Sequence, residues 1–256
     1  MSFVHTIDPV MVTIGPISIR WYGLIYFLGF LCGYLYLSWR IKHKKIDLTE
    51  LQLQDFMLYM LVGVVAGARL FYIIFYNPQH YLNYPLDVLA VWKGGLSFHG
   101  GLTGALVAGW LFCRRHEKSF LKLADECTVP VTFGLALGRI GNFLNGELVG
   151  RVTNVPWCVY FQGFEGCRHP SQLYESAKNL FMFFVLFSVR DKKFPPGFRV
   201  FGFLFMYAVL RFFIEFTRAP DSQLGLLLFG LTMGQWLNIG MAVVAGVFMY
   251  VIHKNK

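Results

Sequence analysis

Three charged residues inside one apolar run, Arg211, Glu215 and Arg218, have a spacing that suggests chemistry. On a helix, intervals of four and three residues place them on one narrow face. One carboxylate flanked by two guanidinium groups leaves a net positive stripe, which suits a phosphate group. The alternative is that Glu215 only neutralises an arginine so that helices can pack. A charge at membrane depth is costly unless it is paired or wetted, so one of these explanations must apply.

A second polar segment is G-R-I-G-N-F-L-N-G-E-L-V-G at 138–150. Arg139 can bind a phosphate with two parallel hydrogen bonds, and Asn142 and Asn145 offer amide donors and acceptors. Glycines such as Gly150 allow the backbone to approach a ligand closely. A polar, glycine-rich stretch at a membrane boundary is tolerated only where protein or water covers it. The alternative is a helix end followed by an ordinary turn.

His99 stands among five glycines in the segment G-G-L-S-F-H-G-G-L-T-G at 94–104. Glycines permit close helix packing and by themselves indicate no function. A histidine accepts a proton near neutral pH, so His99 is a candidate general base. The alternative is a histidine that is hydrogen-bonded to a neighbouring carbonyl group.

Two further segments allow both structural and functional interpretations. Tyr22 follows Trp21 at the start of an apolar run, as is typical of aromatic anchors at a membrane surface. In R-H-P-S-Q-L-Y-E at 168–175, His169 and Glu175 either line the same cavity as the arginines or only fix a loop.

The elements that must position these residues are apolar runs of membrane-spanning length. Of the 256 residues, 56% are hydrophobic and only 14% are charged, whereas soluble domains carry about a quarter charged residues. This composition argues against a very apolar soluble protein. The runs cover 21–39, 56–76, 94–113, about 121–139, about 172–189, 200–218 and about 228–252. The sequence predicts an all-α polytopic membrane protein with about seven transmembrane helices, forming one integral membrane domain over 1–256.

Basic clusters set the orientation. Lys and Arg concentrate in every second connector, at 40–45, 114–118, 190–193 and 253–256. The positive-inside rule makes these connectors cytoplasmic, which places the N-terminus outside and the C-terminus in the cytoplasm. The outer segments are then 1–20, 77–93, about 140–171 and about 219–227. We expect 77–93 to form an interfacial arm and 140–171 to form the longest outer loop.

The net charge of +9 is explained by the same clusters, which suit anionic lipid. The chain contains no nucleic-acid-binding motif, so we expect no nucleic-acid partner. Its five cysteines show no metal-binding spacing. Cys158 and Cys167 fall in the predicted outer loop, where an oxidising compartment would let them form a disulfide.

Four segments in the same order resemble the bacterial phosphatidylglycerol–prolipoprotein diacylglyceryl transferase family. They are H-G-G-L at 99–102, the segment at 138–150, R-H-P-S-Q-L-Y-E at 168–175 and R-F-F-I-E-F-T-R-A-P-D at 211–221. The resemblance covers essentially the whole chain. The segment at 138–150 is the strongest match, and the arm at 77–93 is less distinctive.

The resemblance implies a transferase of the bacterial cytoplasmic (inner) membrane whose active site faces the periplasm. Such an enzyme moves the diacylglyceryl group of phosphatidylglycerol to the lipobox cysteine thiol of a preprolipoprotein. A thioether forms and glycerol 1-phosphate leaves, in the first step of lipoprotein maturation. The implied partners are phosphatidylglycerol, the lipobox segment and membrane lipid, with no metal and no cofactor.

The resemblance also assigns roles. Arg139 and Arg211, with help from Arg218, would stabilise the departing phosphate, while His99 is the candidate base and Glu147 its competitor. The residues expected to bind or orient substrate are Tyr22, Asn142, Asn145, Glu147, Gly150, Glu215 and Arg218. Arg69, Asp125 and Glu126 have no assigned role. A lipid transporter or a non-catalytic assembly protein are the rival classes, but no inverted repeat of hydropathy supports the first.

Overall fold

The computed structural model describes residues 3–15, 17–219 and 227–254. Pro220 and Asp221 of the predicted 211–221 motif, and most of the predicted outer segment 219–227, therefore lie outside the described residues. The chain divides into two compact units, one formed by 1–36 with 124–256 and the other by 37–123.

Helices make up most of the described chain, and each of the seven predicted apolar runs overlaps a long helix. The helices are α1 (Trp21–Lys42), α2 (Glu50–Phe75), α3 (Pro78–Asn83), α4 (Phe98–Arg115), α5 (Phe120–Leu144), α6 (Ser171–Ser188), α7 (Phe198–Ile214) and α8 (Met233–Lys254). Within the described ranges, five segments are long and apolar enough to cross a membrane: α1, α2, α5, α7 with its following turn, and α8. The chain is therefore a multi-pass membrane protein.

Four short strands depart from the all-α prediction: β1 (Phe3–His5), β2 (Val10–Ile14), β3 (Ile17–Arg20) and β4 (Val159–Phe161). β2 and β3 form an antiparallel hairpin, and β1 pairs in parallel with β4, which lies far along the chain. The imidazole of His5 packs between the rings of Phe143 and Phe161. Strands of three to five residues are too short for their alternation to be recognised in the sequence.

Two helix ends near the predicted site differ from expectation. α5 continues to Leu144, so Arg139 and Asn142 lie on its last turns rather than at a loop boundary. α7 ends at Ile214, a 3₁₀ turn follows over Glu215–Thr217, and Arg218 is extended. The prediction of one continuous helix over 200–218 is therefore wrong, because the backbone at Arg218 leaves the helix to form a β-bridge with Gly150.

In the unit 37–123, α2 and α4 pack with their backbones close together. A Cβ atom built on Gly67 would lie 2.8 Å from the Cα atom of Gly104, and one on Gly63 would lie 2.7 Å from the Gly104 carbonyl oxygen. Small residues at such crossings let helices approach in a membrane. α4 begins at Phe98, after an N-cap at Ser97, rather than at the predicted 94.

The prediction for the outer loop cysteines is confirmed. Cys158 and Cys167 form a disulfide, with Cα atoms 5.5 Å apart. Beside it, Val159 and Arg168 exchange two backbone hydrogen bonds of 2.9 Å. The disulfide therefore fixes the short segment that carries β4.

Candidate active site

A buried carboxylate, Glu175 on α6, lies at the centre of a polar cluster in the larger unit. Its side chain has no exposed surface and accepts a hydrogen bond of 2.9 Å from the Lys178 ammonium group. The guanidinium group of Arg211, on α7, donates to its other oxygen. Nε of Arg139, on α5, lies 3.9 Å from Glu175 Oε2, the oxygen that Lys178 contacts. This distance is within ion-pair range but beyond hydrogen-bond distance. Three helices thus direct cations at one carboxylate.

A second carboxylate, Glu215, extends the cluster beyond the end of α7. Arg211 Nη2 lies 2.7 Å from Glu215 Oε2, and Arg218 Nε lies 3.5 Å from the same oxygen. The Thr232 hydroxyl donates to Glu215 Oε1 at 3.3 Å. Gly234 leaves room for this carboxylate, since a Cβ atom there would lie 2.9 Å from Oε1. Arg211 therefore links the two carboxylates.

The last turns of α5 and the following loop form a chain of amide and carboxylate groups. Arg139 Nη1 donates to Asn142 Oδ1 at 3.3 Å, and Asn142 Nδ2 donates to Glu147 Oε1 at 2.7 Å. Asn145 Nδ2 lies 3.4 Å from the same carboxylate oxygen. Asn142 thus connects the arginine to Glu147 and orients both side chains.

Gly150 holds the loop against the end of α7. Its amide donates to the His169 carbonyl at 3.1 Å, and a Cβ atom would lie 2.6 Å from the Thr217 carbonyl oxygen. The Arg151 side chain donates to the Arg218 carbonyl at 2.7 Å. Gly150 is thus packed between backbone segments, and any larger residue would clash with His169 and Thr217.

His169 belongs to the same loop connection. Its backbone amide donates to the Arg151 carbonyl at 3.0 Å, and its Nδ1 lies 3.2 Å from the Tyr174 hydroxyl. Partial burial lowers the pKa of the His169 imidazole, which favours the neutral ring. Of the two open interpretations, His169 fixes the loop, whereas Glu175 lines the cluster.

The cluster holds more positive than negative charge and keeps unused donors. Its members are Arg139, Lys178, Arg211 and Arg218, set against Glu175 and Glu215. Nε and Nη1 of Arg218 are buried without a hydrogen-bond partner among the described residues. Within the same part of the chain, the guanidinium of Arg139 makes its one hydrogen bond to Asn142. Buried donors of this kind suit an anionic ligand such as a phosphate group.

The sequence is similar to that of proteins with an assigned name. The family model of prolipoprotein diacylglyceryl transferase matches residues 9–252. The chain belongs to this family. Three similar relatives are each named phosphatidylglycerol–prolipoprotein diacylglyceryl transferase. The Legionella pneumophila (strain Paris) protein is 43% identical over 95% of this chain and 96% of its own length. The Geobacter sulfurreducens protein is 43% identical over 100% and 99%. The Bordetella bronchiseptica protein is 46% identical over 95% and 94%.

Tyr22 lies near the cluster in this member of the transferase family. A Cβ atom on Gly141 would lie 3.2 Å from Tyr22 Cδ2, so the Tyr22 ring packs against α5 at Gly141. In the sequence, Gly141 lies between Arg139 and Glu147. The hydroxyl of Tyr22 shares a hydrogen bond of 2.8 Å with that of Tyr26.

His99 belongs to the other compact unit. It is the second residue of α4 and is exposed. Its backbone carbonyl accepts a hydrogen bond of 2.9 Å from the Thr103 hydroxyl, and its ring packs edge-on against Phe98. Its role as a base stays a prediction.

Sequence reasoning missed Lys178 entirely and left Glu175 undecided. A signal was present in the sequence: the opposite charges of Glu175 and Lys178, three residues apart, lie within the predicted run at about 172–189, just before its apolar part begins at Leu180. An embedded charge without an assigned partner in an apolar run points to a polar site, and Lys178 meets that criterion.

Arg69, one of the charges without a predicted role, organises the segment after α2. Its three guanidinium nitrogens donate to backbone carbonyl groups of Asp87, Val88, Ala90, Gly94 and Gly95. The guanidinium also lies 5.0 Å from the ring centroid of Tyr81. Arg69 therefore fixes the region that was predicted to form the interfacial arm.

Asp125 and Glu126 likewise have structural partners, at the start of α7. The Asp125 carboxylate accepts hydrogen bonds from the backbone amides of Gly197 at 2.7 Å and Val200 at 2.8 Å. Glu126 pairs with Arg199 at 2.6 Å. Asp125 thus caps α7 from a neighbouring helix, and both carboxylates join α5 to α7.

Proposed function

We propose that the cluster around Glu175 is the active site of this chain. Like its family, the chain transfers the diacylglyceryl group of phosphatidylglycerol to the lipobox cysteine thiol of preprolipoproteins. It forms a thioether and releases glycerol 1-phosphate, which is the first step of lipoprotein maturation. The observation that supports the site is that Nε and Nη1 of Arg218, in a multi-pass membrane protein, are buried without a hydrogen-bond partner among the described residues.

The reaction places its charge on the phosphate. The sulfur atom of the acceptor attacks the glycerol carbon next to the phosphate oxygen, a C–S bond forms, and the C–O bond breaks. The electron pair of that bond stays on the departing glycerol 1-phosphate. Arg139 and Arg218 would bind this phosphate through N–H groups that make no hydrogen bond to any described residue, and Arg211 adds positive charge between the two carboxylates.

The net positive charge of the cluster should stabilise the departing phosphate monoester more than the phosphodiester of the bound lipid. Phosphatidylglycerol is a phosphodiester with one negative charge, whereas a phosphate monoester carries about 1.5 to 2 at neutral pH. Four cations around two carboxylates give an excess of two positive charges. Interactions that strengthen as charge develops lower the barrier, because they stabilise the transition state more than the substrate.

A base must take the thiol proton, because a thiol with a pKa of about 8.5 is mostly protonated at neutral pH. His99 is the proposed base and Glu147 the competitor. The Glu147 carboxylate is exposed, and amide groups of Asn142 and Asn145 orient it. A His99→Gln enzyme that retains full activity would leave Glu147 as the base. A fully active Glu147→Gln enzyme would exclude Glu147.

The remaining predicted residues complete the substrate site. Tyr22 contributes a ring and hydroxyl beside α5, while Asn142 and Asn145 orient polar groups near Arg139. Glu215 orients Arg211 and Arg218. Gly150 pairs with the backbone of Arg218. Its predicted role, close approach of this loop to the lipid, remains part of the proposal.

We further propose seven spans in one membrane domain over 1–256, with the N-terminus outside and the C-terminus in the cytoplasm. Pairing of β1 with β4 and of Gly150 with Arg218 supports one common side for the segments predicted outside. In the unit formed by 1–36 with 124–256, Asp125 contacts the start of α7. In the unit 37–123, Lys118 lies 2.8 Å from Asp47, between two connectors that are predicted to be cytoplasmic. The hydrogen bond from Lys118 lowers the pKa of the Asp47 carboxyl group.

The same topology supports a site that faces the periplasm of the bacterial inner membrane. The cluster includes residues at the outer ends of α5 and α7, and the loop beside it carries the Cys158–Cys167 disulfide. Disulfides persist in oxidising compartments such as the periplasm. Segment 77–93, which Arg69 anchors, forms the proposed interfacial arm.

One experiment tests the function. The purified protein is incubated with phosphatidylglycerol and a lipobox peptide, and mass spectrometry follows the diacylglyceryl thioether together with release of glycerol 1-phosphate. A peptide with Cys→Ser is the control and should stay unmodified. If the thioether does not form, the proposed activity is wrong; lipid movement across vesicles in its absence would favour a transporter.

A further inference from the structure

Lys178 is a buried cation that adds to the positive charge of the cluster but has no proposed contact with the substrate. Its side chain is 2% exposed and lies on α6, one helical turn after Glu175. Among the described residues, its hydrogen bond goes to Glu175 at 2.9 Å, and its ammonium group lies 3.8 Å from the ring centroid of Tyr207. Burying an ammonium group is costly, and an apolar residue would fill the same space more cheaply.

The geometry at Glu175 suggests what Lys178 does. Lys178 Nζ lies 2.9 Å from Glu175 Oε2, while Arg139 Nε lies 3.9 Å from the same oxygen. Arg211 occupies the other oxygen, Oε1. Lys178 therefore takes the position on Oε2 that Arg139 would otherwise occupy.

Loss of the Lys178 ammonium group would draw the Arg139 guanidinium group towards Glu175. A fully buried carboxylate with one oxygen lacking its donor draws in the nearest cation. Arg139 is that cation on Oε2, and a movement of about 1 Å would bring Nε from 3.9 Å to hydrogen-bond distance. Held in this way, Arg139 would offer fewer donors to a ligand, and a phosphate group would compete with Glu175 for it.

We infer that Lys178 is a positioning residue: by neutralising Glu175 through Oε2, it keeps the Arg139 guanidinium available to the phosphate of the lipid donor. The inference rests on the proposed function, because it assigns Arg139 to the phosphate of phosphatidylglycerol. It adds to that function a residue of α6 that acts through Glu175 without touching the substrate.

The test compares four variants of the full-length protein in detergent: Lys178→Met, Lys178→Arg, the double variant Lys178→Met/Glu175→Gln, and Lys122→Met. The last removes an exposed lysine of α5 and is the matched control for loss of one positive charge. For each protein, KM for phosphatidylglycerol, KM for the lipobox peptide, kcat, inhibition by glycerol 1-phosphate and the thermal midpoint are measured.

We expect Lys178→Met to raise KM for phosphatidylglycerol and weaken inhibition by glycerol 1-phosphate by roughly 10- to 100-fold, the loss typical of a charge-assisted hydrogen bond. KM for the peptide should not change. Lys178→Arg should retain most of the affinity because it keeps the charge. The double variant should recover much of the lost affinity, because a neutral amide in place of the Glu175 carboxylate no longer draws Arg139 away. Lys122→Met should behave as the unmodified chain.

Two results would overturn the inference. One is an unchanged KM for phosphatidylglycerol in folded Lys178→Met. The other is a lower thermal midpoint and lower kcat without an affinity change and without recovery in the double variant, which would make Lys178 a structural residue. Both presuppose transfer by the unmodified chain. Absence of that transfer would overturn the proposed function, and the inference with it.

Discussion

Arg69 and Arg139 are both arginines within long apolar helices, yet the hydrogen bonding of their guanidinium groups differs sharply. Arg69, on α2, donates from all three guanidinium nitrogens to backbone carbonyl groups after the helix. Among the described residues, Arg139, on α5, makes one hydrogen bond, to Asn142, and its Nε lies 3.9 Å from Glu175 Oε2. The first arginine is saturated by its own chain, and the second retains donors.

This difference teaches how to separate structural from functional charges in a membrane protein. Burial does not separate them, since both arginines are largely removed from solvent. What distinguishes them is how many of their N–H groups are hydrogen-bonded within the protein. A guanidinium group whose donors are all bonded has none left for a ligand, whereas one with unbonded donors suits a ligand. By the same criterion Asp125 is structural, because both of its oxygens accept backbone amides.

The surroundings of the two arginines differ in the same sense. Near Arg69, α2 and α4 approach so closely that glycines such as Gly104 are required at the crossing. Around Arg139, ionic side chains of α5, α6 and α7 fill the space between the helices. The first region is stabilised by close helix packing, and the second contains the polar groups that we propose bind a lipid phosphate.

The largest expected effect is the loss of activity when Arg139, the proposed phosphate-binding arginine of the comparison, is replaced. Arg139→Ala should reduce kcat/KM for phosphatidylglycerol by roughly 100- to 1000-fold, as loss of one electrostatic donor to a developing charge does. Arg211→Ala should do the same. Release of glycerol 1-phosphate measures the activity, and the thermal midpoint shows that the protein is folded. Near-normal turnover in either variant would contradict the phosphate assignment.

A smaller effect is expected from the packing of α2 against α4. Gly104→Val should lower the free energy of unfolding by about 3 kcal/mol, because its added atoms meet the backbone of Gly63. Thermal unfolding in detergent measures this loss. Gly240→Ala on α8, where a Cβ atom meets nothing within 4 Å, is the matched control. Equal stability of both variants would show that the crossing tolerates a side chain.

Arg69→Lys tests whether Arg69, the other arginine of the comparison, stabilises the fold without binding the lipid. Lysine keeps the charge but has no planar fork, so it cannot reach the carbonyl groups of Ala90 and Gly94 together. We expect the free energy of unfolding to fall by about 2 kcal/mol, faster proteolysis within 77–93, and a nearly unchanged KM for phosphatidylglycerol. A large rise in that KM, with normal proteolysis, would place Arg69 among the ligand-binding residues.

The smallest effect is expected at Asp125. Asp125→Ala removes the acceptors for the amides of Gly197 and Val200 and should cost about 1 kcal/mol of stability, as loss of a helix cap does. Turnover per folded molecule should not change. Thermal unfolding and transfer assays on the same preparation check both parts. A loss of turnover at full stability would assign Asp125 a role in the reaction.

Much of this organisation was predictable because it is local. Apolar runs predicted the seven long helices, and the spacing of Arg211 and Glu215 predicted that they share one helix face. The two side chains form an ion pair at 2.7 Å. The pairing of Cys158 with Cys167 followed from their place in one loop. The helical position of Arg218 was wrong, because its backbone is drawn to Gly150, far away in sequence.

The sequence by itself determined where helices form, which helices carry charges, and the family to which the chain belongs. Helical periodicity and apolar length act over neighbouring residues, so they can be recognised in one stretch of chain. The tertiary structure alone decided which charge meets which partner: Arg69 with its carbonyl groups, Lys178 and Arg211 with Glu175, and β1 with β4. Such pairing depends on distances between segments far apart in the chain. For the same reason, only the folded chain shows that, among the described residues, Arg139 makes one hydrogen bond and buried Nε and Nη1 of Arg218 make none.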